Sequence, residues 1–211
     1  MIPSKNEWMD ALIARHGLDL HKRFLSATVA VCGLGGLGSN IAIALARAGI
    51  DKLLLIDFDR VDITNLHRQQ YKANQIGLHK AEALAKNLVE IAPYTEITAV
   101  TAKITEENFA DLLKGADVVC EAFDNAEAKA MLVNGVLEQL PDCYLVAASG
   151  MAGMDTPNTI RTRKVMGRFY LCGDETNDVA DTIGLVAPRV MLCAAHQAHT
   201  VLRILAGEYE V

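Results

Sequence analysis

The stretch that decides the fold begins T-V-A-V-C-G-L-G-G-L-G-S-N, from Thr28 to Asn40. Its first five residues are typical of a short buried strand, and Gly33-Leu34-Gly35-Gly36-Leu37-Gly38 follows with the pattern G-x-G-x-x-G. Glycines at this spacing permit a tight turn and a close approach of the backbone to phosphate, and the amino end of the next helix adds partial positive charge. Asp57, which ends the next apolar run, is placed to accept hydrogen bonds from ribose hydroxyls. The stretch therefore predicts an adenine-nucleotide site, but it suits NAD and ATP equally, because both contain adenosine.

Around this stretch, short apolar strands alternate with amphipathic helices. The predicted strands are Thr28–Cys32, Lys52–Ile56, Glu96–Ala102, Ala116–Glu121 and Tyr144–Ala148, and the predicted helices are Ser39–Ala48, His79–Ile91, Glu107–Lys114, Asn125–Leu140 and Pro188–Ala206. Outside that alternation we predict one or two helices over Ser4–Ser26, broken at Gly17, and two antiparallel strands over Thr159–Val165 and Arg168–Cys172.

Alternation with short connections predicts an α/β fold. We expect a Rossmann-like, mostly parallel sheet with helices on both faces, short N-terminal helices, and a small C-terminal antiparallel extension followed by a helix. A chain of 211 residues is about the size of one domain, so residues 1–211 are predicted to form a single domain.

Composition narrows the class of protein. Hydrophobic residues make up 51% of the chain, which is enough for a sizeable core. The net charge of −6 argues against a nucleic-acid or anionic-membrane partner, although a phosphate ligand needs only local cations. No apolar run approaches the length of a membrane span, and the first residues lack the apolar stretch of a signal peptide. We therefore expect a cytoplasmic protein.

The five cysteines form no C-x-x-C pair, so the sequence predicts neither a zinc knuckle nor a redox pair. Cys172 precedes Gly173-Asp174-Glu175, which we expect to be an exposed turn, and it is therefore the candidate for a reactive thiol. The other four are expected to be small buried hydrophobes: Cys32, Cys120, Cys143 and Cys193.

The connection Arg60–Leu78 is long and polar for an α/β protein, which is typical of a functional loop. A polar and cationic group lies in and beside it, after Asp59: Asn65, Arg68, Gln69 and Lys80. Phosphoryl chemistry requires such charge, because negative charge develops at the attacked phosphorus. The alternative is that Arg68 and Lys80 are ordinary solvated cations.

Asp124-Asn125 follows the strand V-V-C-E-A-F, at the edge where open parallel sheets bind ligands. A carboxylate at Asp124 could hold Mg²⁺, which prefers oxygen ligands and bridges substrate phosphates. The alternative is that Asp124 is the N-cap of the helix that begins near Ala126.

In combination, G-L-G-G-L-G-S, D-F-D, N-L-H-R-Q-Q, the lysine of G-L-H-K-A-E, and F-D-N resemble the activating enzymes of ubiquitin-like proteins, the E1-like ThiF/MoeB type. The resemblance runs from about His16 to Leu205. The segments A-S-G-M-A-G (Ala148 to Gly153) and A-P-R-V (Ala187 to Val190) resemble the thiamine-pathway sulfur-carrier adenylyltransferases, in a compact form without zinc.

This resemblance implies a reaction in which ATP adenylates the C-terminal glycine carboxylate of a small ubiquitin-like sulfur carrier and releases pyrophosphate. It implies ATP and Mg²⁺ as cofactors, with Asp124 as the metal ligand. The catalytic residues that it implies are Asn65, Arg68, Lys80 and Asp124. The nucleotide-binding residues that it implies are Gly33, Gly35, Gly36, Gly38, Asp57, Asp59, Gln69 and Asn125.

The resemblance also implies partners. These are a carrier ending in Gly-Gly, a second copy of the chain in a homodimer, and a cysteine desulfurase as a candidate sulfur donor. Some relatives form a covalent link to the carrier, and Cys172 is the candidate for that cysteine. Many relatives place an arginine of an R-Y-x-R-Q element in the partner's site. This chain offers only Arg15 and Arg23, without that element.

Three alternatives stay open at this point. The glycine turn and Asp57 alone would also suit an NAD(P)-dependent oxidoreductase. A related E1-like enzyme could act on another carrier or on a tRNA-linked carboxylate. A third possibility is a nucleotide-binding module without catalysis, against which the set Arg68, Lys80 and Asp124 argues.

Overall fold

The computed structural model describes residues 2–177, 180 and 182–211. The strands are β1 (Thr28–Cys32), β2 (Lys52–Ile56), β3 (Glu96–Val100), β4 (Val118–Glu121), β5 (Tyr144–Ala148), β6 (Arg161–Met166) and β7 (Phe169–Gly173). The helices are α1 (Lys5–His16), α2 (Leu18–Ser26), α3 (Gly36–Ala48), α4 (Lys80–Ile91), α5 (Phe109–Leu112), α6 (Ala126–Gln139) and α7 (Ala187–Ala206).

The strands form one seven-stranded sheet in the order β3-β2-β1-β4-β5-β7-β6. All neighbours are parallel except β6, which runs antiparallel to β7 at the edge. From β1 the chain adds β2 and β3 on one side and then β4 on the other. In such sheets a crevice opens at the carboxyl ends of the strands where the direction changes, and ligands bind there. Here that position lies between β1 and β4, at the glycine turn.

Helices cover both faces of the sheet, as predicted. Because successive side chains of a strand point to opposite faces, Val29 and Val31 of β1 pack in one hydrophobic cluster and Ala30 and Cys32 in the other. The first cluster receives side chains from α2, α3, α4 and α7, and the second receives side chains from α5 and α6. The expectation of a Rossmann-like α/β fold is therefore confirmed.

Element boundaries differ from the prediction mainly at the glycine turn. Helix α3 begins at Gly36 rather than Ser39, because the last glycines of the turn already adopt helical geometry. Helix α5 covers only Phe109–Leu112, and β3 ends at Val100. The break at Gly17 is present, with a backbone φ of 82° that favours glycine. Within the described residues, no helix combines the length and the apolar character that crossing a bilayer requires.

The prediction that Cys172 is exposed is wrong. Cys172 lies inside β7 and is fully buried, because the turn begins only after Gly173 and α7 packs over the strand. Its Sγ lies 3.5 Å from Oγ1 of Thr162, and burial raises the pKa of the thiol to about 11. Since the thiolate is the nucleophile, these surroundings disfavour a covalent role for Cys172. The other four cysteines are buried, as predicted.

Candidate active site

Two positions of the glycine turn require glycine on steric grounds. Gly33 has a φ of 87°, and a Cβ there would lie 2.8 Å from the carbonyl oxygen of Ala122 at the end of β4. A Cβ on Gly38 would lie only 1.8 Å from the carbonyl oxygen of Gly33. The backbone amide of Gly33 also donates to the Ile56 carbonyl at 2.9 Å. The turn is thus fixed against both neighbouring strands.

The two middle glycines face different surroundings. A Cβ on Gly36 would lie 2.9 Å from Cγ1 of Val190, so this glycine allows α3 and α7 to pack closely. At Gly35 the nearest atom to an added Cβ would be Nε2 of Gln69, at 3.7 Å, which is ordinary contact. Gly35 is therefore the position in the turn where the backbone is free to approach a ligand.

Asp57 is held rigidly at the end of β2. Its Oδ2 accepts from the amide of Leu34 at 2.6 Å, and its Oδ1 accepts from the amide of Asp59 at 2.7 Å. The side chain is buried, and burial raises its pKa, although these hydrogen bonds and the charge of Lys80 act in the opposite direction. Each carboxylate oxygen retains a further lone pair, so Asp57 can still accept from a ribose hydroxyl.

The connection between β2 and α4 folds over the glycine turn. Arg60 pairs with His79 in an antiparallel bridge, and a 3-10 helix covers Ile63–Asn65. Oδ1 of Asn65 accepts from the amide of Asp62 at 3.2 Å, so this side chain caps its own turn. The predicted contact between Asn65 and phosphate stays a prediction.

Arg68 and Gln69 lie directly beside the glycine turn. Cγ and Cδ of Arg68 would each lie 3.6 Å from a Cβ on Gly36, and Gln69 is only 6% exposed. Neither Nε of Arg68 nor Oε1 of Gln69 has a hydrogen-bond partner in the described part of the chain, although both atoms are buried. Leaving such an atom unpaired costs about 1–3 kcal/mol, so both side chains have hydrogen-bonding capacity that a polar ligand or water could satisfy. The same holds for three atoms elsewhere in the described chain, so it is the position beside the glycine turn that distinguishes Arg68 and Gln69.

Lys80 opens α4 and is not a solvated cation. Its side chain is 8% exposed, and Nζ donates to Oδ2 of Asp59 at 2.8 Å. Its amide also donates to the carbonyl of Asp59 at 2.9 Å. Asp59 itself keeps 47% of its side chain exposed. The alternative of an ordinary surface lysine is therefore wrong for Lys80, whose ammonium is held at the end of β2 close to Asp57.

Asp124 is exposed in the turn between β4 and α6. The N-cap of α6 is Asn125, whose Oδ1 accepts from the amide of Ala128 at 2.9 Å, so the N-cap alternative for Asp124 is wrong. The described residues contain no cluster of three or more His, Cys, Asp or Glu that could hold a metal ion. The single carboxylate of Asp124 fits Mg²⁺ that is held by one carboxylate together with substrate phosphates, which is how Mg²⁺ commonly binds.

Sequence reasoning missed a buried ion pair beneath that turn. Glu121, 1% exposed at the end of β4, accepts from Nζ of Lys129 at 3.0 and 2.9 Å. The same ammonium donates to the carbonyl of Ala148 at the end of β5, at 3.0 Å. Nε2 of Gln197 joins the same two strands through the carbonyls of Glu121 and Val146. The charges at Glu121 and Lys129 were visible in the sequence, but nothing local indicated their pairing.

A second missed pair organises the segment after β5. Arg189, in the first turn of α7, is 5% exposed and donates to Oδ2 of Asp174 at 2.5 Å. It also donates to the carbonyls of Ala152 and Asp155. Although burial acts to raise it, the pKa of Asp174 lies well below its usual range, because the side chain and amide of Asn177, the amide of Thr176, and Arg189 all donate to its carboxylate. The segment A-P-R-V thus has a structural role that its sequence did not reveal.

The two candidate arginines for a partner's site lie away from the glycine turn. Nη1 of Arg23 donates to the carbonyl of Ala206 at 2.7 Å and so caps the end of α7, while Arg15 is exposed in the last turn of α1. Arg23 also lines a cavity of about 330 Å³ at the amino ends of β1, β4 and β5. A cross-subunit role for either arginine stays a prediction.

Comparison with known proteins assigns the chain to a family. The sequence matches the ThiF family over residues 9–211. The chain belongs to the ThiF family. The resemblance to E1-like ThiF/MoeB enzymes is therefore confirmed.

The relatives of this ThiF-family protein include the following two enzymes. It is 35% identical to the tRNA threonylcarbamoyladenosine dehydratase of Bacillus subtilis over 156 residues, which cover 73% of this chain and 58% of that protein. It is 29% identical to the sulfur carrier protein ThiS adenylyltransferase of Bacillus subtilis over 204 residues, which cover 93% of this chain and 60% of that protein. The chain thus spans less than two thirds of the length of both relatives.

The fold also has close structural neighbours. A crystal structure of the E. coli tRNA N6-threonylcarbamoyladenosine dehydratase in complex with ATP superimposes with a TM-score of 0.85, covering 99% of this chain and 98% of that chain. The sequence identity of that pair is 23%, so this likeness shows the fold alone.

Proposed function

We propose that this protein uses ATP to adenylate a carboxylate, and that residues 1–211 form a single E1-like adenylyltransferase domain. The observation that carries the proposal is the pair of unpartnered buried atoms, Nε of Arg68 and Oε1 of Gln69, beside the open glycine of the turn. Membership of the ThiF family supports ATP over a nicotinamide cofactor.

The proposed reaction forms one bond and breaks one bond. A carboxylate oxygen of the substrate attacks the α-phosphorus of ATP, and the bond to the β-phosphate breaks as pyrophosphate leaves with the electron pair. The glycine turn offers backbone amides and the amino end of α3 to the phosphates. Asp57 accepts from the ribose, and Arg68 and Lys80 supply the positive charge that the transition state requires.

Asp124 and the phosphates of ATP would hold Mg²⁺. When bound, the ion neutralises phosphate charge and so assists the departure of pyrophosphate. Asp59 has a separate role in this scheme. By accepting from Nζ of Lys80 at 2.8 Å, it keeps the ammonium at the end of β2 before the nucleotide arrives.

For the substrate we propose the C-terminal glycine of a small ubiquitin-like sulfur carrier, as in the thiamine pathway. The relative that covers 93% of this chain is named for such a carrier, and the net charge of −6 favours a protein over an RNA partner. Three of the four cations of β6 and the following turn, Arg163, Lys164 and Arg168, are paired with carboxylates, and Arg161 is exposed.

A tRNA-linked carboxylate is the second candidate. It is favoured by the 35% identity to the tRNA threonylcarbamoyladenosine dehydratase of Bacillus subtilis. Both candidates share the adenylation step, so they differ in the partner and not in the chemistry at the glycine turn.

The test measures the release of pyrophosphate from ATP in the presence of Mg²⁺. One reaction contains Bacillus subtilis ThiS, and the other contains tRNA that carries threonylcarbamoyladenosine. We expect release, and a mass increase of one AMP, with ThiS. Release only with the tRNA would replace the carrier by the second candidate. No release in either arm, together with saturable NADH binding, would refute adenylation.

Variants sharpen this test. Arg68→Ala is expected to lower the rate by on the order of 10³-fold, as for other cations that face a transferring phosphoryl group. Arg47→Ala is the matched control, because Arg47 is exposed in the last turn of α3, far from the glycine turn. Light scattering tests the proposed homodimer, and co-purification tests a cysteine desulfurase as the sulfur donor.

A further inference from the structure

The connection that carries Arg68 is fastened to the helices beside it by a chain of amide side chains. Gln70 Nε2 donates to Oδ1 of Asn40 at 2.7 Å, and the carbonyl of Gln70 accepts from Nδ2 of Asn87 at 3.0 Å. Asn87 and Gln75 then exchange two further hydrogen bonds, at 3.0 and 2.9 Å. Asn40 belongs to α3 and Asn87 to α4, so the chain spans both helices.

Asn40 differs from the other members because it reaches the backbone of Arg68. Its Nδ2 donates to the carbonyl of Gly36 at 2.6 Å and to the carbonyl of Arg68 at 3.2 Å. Both partners only accept, so the orientation of the amide is fixed by chemistry. With Oδ1 occupied by Gln70 and 9% of the residue exposed, Asn40 uses both donors and an acceptor inside the protein.

The backbone of Arg68 determines where its side chain lies. Cγ and Cδ lie against Gly36, Nη1 donates to the carbonyl of Thr64 at 3.1 Å, and Nε stays buried without a partner in the described chain. The single amide of Asn40 therefore joins the first residue of α3 to the residue that carries the cation. A second tie next to it, from the amide of Gln70 to Oγ of Ser39 at 3.1 Å, holds the connection on the same helix turn.

We propose that Asn40 is a positioning residue that sets the distance between Arg68 and the phosphates bound at the glycine turn. Asn40 does not touch the nucleotide in this role; it acts through the carbonyl of Arg68. The inference rests on the proposed function, because it requires Arg68 to bind phosphate. It predicts that loss of Asn40 weakens binding of the β and γ phosphates and leaves binding of the adenosine half unchanged.

The test compares the dissociation constants of Mg·ATP and of AMP, measured by isothermal titration calorimetry. Arg68→Ala is expected to weaken Mg·ATP by roughly tenfold to a hundredfold, the usual effect of a lost charge-assisted hydrogen bond, and to leave AMP within about twofold. Asn40→Ala is expected to weaken Mg·ATP by roughly threefold to thirtyfold, again without an effect on AMP. In the Arg68→Ala background, Asn40→Ala is expected to add less than about twofold, because coupled residues are not additive.

Asn87→Ala is the matched control. Asn87 is 5% exposed and has the same number of amide hydrogen bonds in the same chain of side chains, but it does not contact Arg68. It should lower the thermal midpoint about as much as Asn40→Ala and leave the ratio of the ATP and AMP constants unchanged. If Asn40→Ala does not fold, Asn40→Ser keeps a donor for the carbonyl of Gly36 but is too short for that of Arg68.

Each outcome decides between the two proposals. An unchanged ATP-to-AMP ratio in the Asn40 variant, or effects of Asn40→Ala and Arg68→Ala that multiply, would overturn the positioning role while the phosphate role of Arg68 stands. A dissociation constant of Mg·ATP that is unchanged in Arg68→Ala would overturn the phosphate role itself, and the inference with it. If Asn87→Ala weakens Mg·ATP relative to AMP as much as Asn40→Ala does, the packing of the whole connection determines phosphate binding. That result would overturn the specific role of the hydrogen bond from Asn40 to Arg68.

Discussion

Replacing Lys129 by methionine tests the buried ion pair at the end of β4. The substitution removes the two hydrogen bonds to Glu121 and the one to the carbonyl of Ala148. It leaves a carboxylate that is 1% exposed and whose remaining partners are backbone groups, the amide of Phe123 at 2.7 Å and the backbone of Ala148. Breaking a buried pair on one side costs about 3–5 kcal/mol of unfolding free energy. For a chain of this size that is a fall of roughly 6–20 °C in the thermal midpoint.

The same variant has a pH signature. Burial raises the pKa of Glu121 even with Lys129 present, so without the ammonium it rises further. The folded variant then binds a proton that the unfolded chain has already released, and its stability falls as pH rises through the folded pKa. The difference in thermal midpoint between the variant and the wild type should therefore be smaller at about pH 5 than at about pH 7.5.

Calorimetry or circular dichroism across that pH range measures the effect, with Glu121→Gln/Lys129→Met as the companion. The double variant removes the uncompensated charge and should recover a large part of the lost stability at neutral pH. A pH-independent loss in Lys129→Met, or a double variant no more stable than the single one, would refute this reasoning.

Three further predictions concern the turn, the second ion pair and the thiols. Gly38→Ala should prevent folding or nucleotide binding, because its Cβ would lie 1.8 Å from the carbonyl of Gly33, whereas Gly35→Ala should fold normally and bind ATP more weakly; thermal melts and titration calorimetry separate the two cases. The folding free energy of the wild type should become less favourable as pH falls below the ordinary pKa range of aspartate. The reason is that the pKa of Asp174 is lowered in the folded state, so its carboxylate stabilises the fold above that range and loses this effect as it becomes protonated. In thermal melts at low pH, the midpoint of Asp174→Asn should fall less steeply with decreasing pH than that of the wild type. Native protein should resist N-ethylmaleimide at Cys172 until it is unfolded, as mass spectrometry would show, and rapid native labelling would contradict the burial.

Much of the fold could be predicted because its signals are local. The alternation of apolar strands and amphipathic helices and the break at Gly17 depend on neighbouring residues and on backbone conformations that glycine permits. The same local logic failed at Cys172. The sequence after it predicts a turn, but burial of β7 depends on α7, which begins at Ala187 and packs back over the strand.

For the candidate site, the sequence by itself determined the residue types: a glycine turn, an acid after β2, cations in and beside the next connection, and the carboxylate of Asp124 in the turn after β4. Their roles toward phosphate, ribose and Mg²⁺ are part of the proposed function. Only the tertiary structure decided their states. In the folded protein Lys80 is buried and paired with Asp59, and Nε of Arg68 and Oε1 of Gln69 have no hydrogen-bond partner in the described chain beside Gly35. The side chain of Asn40 donates to the carbonyl of Arg68. The physical reason is that pattern and turn chemistry act over a few residues. The state of a buried charge or amide depends instead on which distant groups the packed layers bring within hydrogen-bond distance.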